Sequence, residues 1–78
     1  MENKNTMSEI IKQAKKIEEN NFNNMEFATS MTMLINSNDL AQPKDRDLAD
    51  KVNRLNRHIE DINKLTDELL QNLISKHN

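Results

Sequence analysis

LADKVNRLNRHIEDINKLTDELLQNL, residues 48–73, is the stretch that decides the fold. Leu48, Val52, Leu55, Ile59, Ile62, Thr66, Leu69 and Leu73 succeed one another at alternating steps of four and three, which sets all eight on one face of an α-helix. Seven of the eight are apolar, so this face is built to be covered by another helix. Leu65, Leu70 and Ile74 lie beside the stripe and widen its apolar arc toward the carboxyl end, beyond what one neighbouring helix covers.

A covering helix is written upstream. Met7, Ile10, Ala14, Ile17, Asn21, Asn24, Ala28, Met31 and Ile35 also fall at steps of three and four, giving a seam that is apolar at both ends and polar in its middle. Thr6-Met7-Ser8-Glu9 fits a capping box, in which the Thr6 hydroxyl and the Glu9 carboxylate satisfy each other's backbone N–H groups, so this helix is expected to begin near Met7. Asn20-Asn21-Phe22-Asn23-Asn24 is its weakest part, because each asparagine costs about 0.5 kcal/mol of helix propensity relative to alanine. The register nevertheless runs through the cluster without slipping. A continuous helix and a helix kinked or broken at Asn20–Asn24 both fit.

Asn36-Ser37-Asn38-Asp39 reads as a turn, since asparagine tolerates the left-handed conformation that ends helices and Asp and Ser favour turns. Pro43, followed by Asp45, Asp47 and Asp50, suits the first turn of a second helix. The expectation is a single all-α domain. It has a flexible segment at residues 1–6, a helix over about 7–35, a turn over about 36–42 and a helix over about 43–75. A connection this short makes the helices antiparallel neighbours. Folding the chain about residues 39 and 40 pairs Met31 with Leu48, Ala28 with Val52, Ile17 with Ile62, Ile10 with Leu69 and Met7 with Leu73.

A 78-residue chain without cysteine and with two aromatic residues, Phe22 and Phe27, has few ways to stabilise itself alone. Self-association is therefore expected, most simply a homodimer in which two hairpins form a four-helix bundle. Glycine is absent, which excludes Gly-rich phosphate loops. The net charge of −2 provides no basic field of the kind that dominates nucleic-acid binders. No stretch approaches the roughly 20 apolar residues of a membrane span, and residues 1–20 lack the apolar core of a secretory signal. A cytoplasmic protein with no membrane partner is expected.

Three groups of residues are candidates for function. Met25–Ile35 (MEFATSMTMLI) has no charge after Glu26 and carries apolar groups nearly all the way round a helix; Phe22, Met25, Phe27, Met31 and Met33 are the candidate contacts for a protein partner. The plainer reading makes the same segment bundle core or dimer interface. Lys51, Arg54, Arg57 and His58 form a basic run that the pairing above sets level with Asn20–Asn24, where both could meet a phosphate or an RNA backbone. Asp47–Lys51, Asp50–Arg54 and Glu60–Lys64 are also i,i+4 pairs with the acid first, and Arg57 can meet Asp61, so the run can instead neutralise itself at about 0.2–0.5 kcal/mol per pair. Asn21 and Asn24 in the seam are the third group, suited to fixing register and oligomeric state, with Asn56 and Asn63 as hydrogen-bond partners.

No serine or threonine has a base and an orienting group at matching spacing, and His58 with Asp61 is a surface pair rather than a catalytic one. His77 falls in a tail prone to fray. No catalytic residues, metal or cofactor are expected. The functional expectation is a small homo-oligomeric protein-interaction module: an adaptor, inhibitor or regulatory subunit, of the sort a bacterium or phage uses as a regulator. Leu48, Val52, Leu55, Ile59, Ile62, Leu69 and Leu73 would form its hairpin or oligomer core. The alternatives are a nucleic-acid or nucleotide-binding bundle using the basic face, and an assembly chaperone or scaffold component.

Overall fold

The computed structural model describes residues 2–37 and 46–77, with side chains described over 4–37 and 46–76. They form two helices, α1 (Glu2–Ser37) and α2 (Arg46–His77), packed against each other as an antiparallel hairpin with principal extents of 59 × 15 × 14 Å. The expected start of the second helix at Pro43 and most of the expected turn lie outside the described residues. Asn36 and Ser37 belong to the last turn of α1, where the Ser37 hydroxyl donates to the Leu34 carbonyl at 3.1 Å and satisfies one of the acceptors a helix end leaves open.

α1 starts earlier than the capping box implies. Nothing in Glu2-Asn3-Lys4-Asn5 breaks a helix, and extending an existing helix fixes one residue per hydrogen bond gained. Thr6 consequently lies a turn inside α1 and exposed, where it cannot act as the N-cap. The helix is continuous through Asn20–Asn24. Tertiary contact offsets the poor local propensity there, because Asn21 is buried and hydrogen-bonded across the seam.

The contact between the helices is narrower than the stripes that predicted it. Its inner column is Met7, Ala14, Asn21, Ala28 and Ile35 on α1, facing Val52, Ile59, Thr66 and Leu73 on α2; all are buried or half-buried. Ala14 and Ala28 are small, which lets the two backbones approach closely along this line. The other half of each predicted stripe, Ile10, Ile17 and Asn24 on α1 and Leu48, Leu55, Ile62 and Leu69 on α2, is exposed.

The pairing also differs by one heptad from that obtained by folding the chain about residues 39 and 40. Asn21 Nδ2 donates to Thr66 Oγ1 at 2.9 Å, and Asn56 Nδ2 donates to Thr32 Oγ1 at 2.9 Å. These bonds set Ala28 level with Ile59 and Ile35 level with Val52. In the expected register Asn21 would face Ile59 and Thr66 would face Ala14, stranding the buried Asn21 amide at a cost of about 1–3 kcal/mol, while Thr66 would keep only its bond to the Ile62 carbonyl. Apolar pairing is nearly the same in both registers, so the polar groups decide between them.

Candidate interaction surface

Each cross-seam bond is part of a short relay. Thr66 Oγ1 accepts from Asn21 and donates to the Ile62 carbonyl at 2.7 Å, while Thr32 Oγ1 accepts from Asn56 and donates to the Ala28 carbonyl at 2.9 Å. In both latches a threonine turns its hydroxyl proton back on its own helix and offers its lone pair to an asparagine of the other. One runs from α1 to α2 and the other from α2 to α1, so the helices are locked against sliding at two levels.

The latches tilt the seam toward one edge of the hairpin. Beside the inner column on this latch flank lie Ile11, Glu18, Met25 and Thr32 of α1 and Ala49, Asn56, Asn63 and Leu70 of α2. Leu70, expected only to widen the apolar arc, is buried here. A shallow groove of 760 Å³ follows the same flank, lined by Glu18, Glu19, Phe22, Asn23, Met25, Glu60, Asn63 and Asp67. Asn63 Nδ2 is buried at its floor and has no hydrogen-bond partner.

The opposite, apolar flank is built from Ile10, Ile17, Asn24 and Met31 of α1 and Leu48, Leu55, Ile62 and Leu69 of α2. Helical geometry brings both sets to one side of the hairpin, because each precedes its latch-flank neighbour by one residue on antiparallel helices. The four α2 residues stand 41–50% exposed. Gln13, Asn20, Phe27 and Leu34, with Lys51, His58, Leu65 and Asn72, form its outer edges. None of these sixteen positions holds a carboxylate, although the chain has thirteen, and only Lys51 and His58 can carry positive charge. Depletion of charge with retention of large apolar side chains is the compositional mark of an interface centre.

The sequence-predicted partner contacts are divided between surfaces. Phe22 and Met25 line the latch-flank groove, and Met25 and Met33 line the neighbouring depression beside Thr32 and Asn56. Met31 is half-buried on the apolar flank, with Phe27 exposed on its outer edge. They therefore do not make one patch. α2 is also the more strongly amphipathic of the two helices, while α1 carries exposed apolar groups on several sides.

The basic run is not level with the asparagine cluster. The observed register sets Lys51–His58 beside residues 29–36 and leaves Asn20–Asn24 opposite residues 63–67. Lys51 Nζ bonds Asp47 at 2.6 Å and Arg54 bonds Asp50 at 3.4 Å, both on the exposed surface, whereas Arg57 and His58 are exposed and form no ion pair with the described carboxylates of α2. Among the described residues no group of three or more His, Cys, Asp or Glu could hold a metal ion, and no helix is long and apolar enough to cross a membrane. No protein-family model matches the chain, and comparison with curated proteins and with solved structures finds none similar to it.

Proposed function

We propose that this chain is a self-associating helical interaction module, and that two hairpins pack through their apolar flanks into a four-helix bundle. The observation that carries the reading is the division of the α2 stripe. Val52, Ile59, Thr66 and Leu73 are used inside the hairpin, while Leu48, Leu55, Ile62 and Leu69 continue the same heptads on a carboxylate-free side that the hairpin leaves uncovered. The area argues in the same direction: a compact 9.1 kDa monomer exposes about 4,900 Å², whereas this chain exposes 6424 Å². The surplus is of the order of what one partner contributes to a standard or larger interface.

The bundle acts by burying helix faces rather than by catalysis, as a cytoplasmic adaptor, inhibitor or regulatory subunit. Once the apolar flanks are closed, Phe22, Met25 and Met33 remain open on the far side of each hairpin, and a second protein would dock there. The pairing of Lys51 and Arg54 with neighbouring carboxylates supports this reading over a nucleic-acid interface. Sedimentation equilibrium at micromolar concentration is the test. A particle of twice 9.1 kDa is expected, and a cooperatively melting monomer overturns the proposal.

A further inference from the structure

Resting on that self-association, the geometry points to one arrangement of the second copy: we infer that the two hairpins lie face to face and end for end, with the two-fold axis crossing the bundle at the level of Asn24 and Ile62. Two hairpins stacked through one flank can be related by an axis along the bundle or by one across it. An axis along the bundle sets each α1 over the partner's α2, with both connections at the same end. An axis across it sets α1 over α1 and α2 over α2, with the connections at opposite ends. The two arrangements bury the same side chains and differ in which of them meet.

Asn24 is the polar residue in the middle of the apolar flank, and the latches set it level with Ile62. With the axis along the bundle, the Asn24 amide lies against the partner's Ile62, hydrocarbon that can neither donate nor accept. With the axis across the bundle at this level, Asn24 lies beside the partner's Asn24. Two amides related by a dyad can each donate and accept, so their hydrogen-bonding capacity is met by symmetry. The layers on either side are then apolar throughout: Ile17 meets the partner's Met31, and Leu55 meets the partner's Leu69. A lone asparagine among apolar seam residues is a known way to specify one register over its competitors.

Lys76 supplies an independent argument. It follows Leu69 by one heptad and is the charged continuation of the apolar column on α2. An axis along the bundle brings the two Lys76 ammonium groups into one end layer. The crossing axis separates them by about 42 Å along the bundle, at 1.5 Å per residue, well beyond the screening length at physiological salt.

Single-cysteine variants test the arrangement in the full-length chain. Under mild oxidation Asn24→Cys and Ile62→Cys are each expected to form a covalent dimer with themselves, at least about tenfold more than a mixture of the two forms the mixed disulfide, since a disulfide requires Cα atoms about 4.4–6.8 Å apart. A spin label at Asn36→Cys, away from the apolar flank, adds a readout that leaves the packing untouched. The two labels are expected beyond about 36 Å, the axial separation of residue 36 from its mate. Dominant mixed disulfides, or labels within about 24 Å, the width of two helices, would overturn the end-for-end arrangement and leave self-association standing. A monomer in sedimentation of the unaltered chain would overturn both.

Discussion

The two flanks of the hairpin begin from equivalent positions on the same helices and end in opposite conditions. On one, Thr32, Asn56 and Asn63 are drawn against the seam, two Asn–Thr latches close across it, and Leu70 is buried. On the other, Leu48, Leu55, Ile62 and Leu69 stand about half exposed beside Ile10 and Ile17. A two-helix contact cannot bury both sides of a stripe this wide, so it must choose one. It closes the side whose polar groups need partners. An exposed leucine can be covered later by any apolar surface, whereas a buried amide must find its partner within the hairpin or lose hydrogen bonds it had in water. The apolar flank is thereby left uncovered.

The contrast can be broken most completely on the apolar side. Replacing Leu55 and Ile62 together by Lys removes two anchors per copy and adds charge to a charge-depleted face, so self-association is expected to weaken by more than about a hundredfold. Sedimentation equilibrium reads this directly. The Met25→Glu/Met33→Glu pair on the other side is expected to leave the dimer intact and to abolish capture of a partner protein in a pull-down.

The latch side responds through stability. Thr66→Val leaves Asn21 Nδ2 in the seam without an acceptor, and chemical denaturation is expected to show a loss of about 1–3 kcal/mol. Adding Asn21→Leu removes the stranded donor as well and is expected to recover most of that loss, a coupling that a double-mutant cycle measures. The recovered protein would keep only the Asn56–Thr32 latch to distinguish its register from one shifted by a heptad. Asn63→Leu is a smaller change of opposite sign. It replaces a buried donor that has no partner, and a gain of about 1 kcal/mol is expected in the same experiment. The smallest effect belongs to Lys51→Ala, whose exposed pair with Asp47 is worth at most about 0.5 kcal/mol, a difference that rising salt should erase.

Much of this architecture is legible in the order of residues. The stripe over 48–73 requires a long helix with a covered face, and the complementary positions from Met7 to Ile35 supply what covers it. The register was harder to read for a specific reason. A heptad pattern matches itself when shifted by seven, so Ala28 pairs acceptably with either Val52 or Ile59, and apolar periodicity cannot choose. The signal that does choose was present as two irregularities, Thr66 in one stripe and Asn21 in the other. Asn21 is suited by its place in the seam to fixing register, but with Asn56 and Asn63 as its expected partners; it is the match of Asn21 with Thr66 that selects the observed pairing. The capping box at Thr6 misled because a favourable cap marks where a helix can begin, and nothing upstream prevents it from beginning sooner.

Periodicity along a single chain determined that two amphipathic helices would form and lie antiparallel, because the spacing of apolar side chains and the brevity of the connection are properties of the sequence order alone. Which half of each stripe faces inward was decided only in three dimensions. Hydrogen bonds between Asn21 and Thr66 and between Asn56 and Thr32 join residues 45 and 24 positions apart, and their directional demands rotate the helices toward one flank in a way that apolar burial, which has no direction, leaves open.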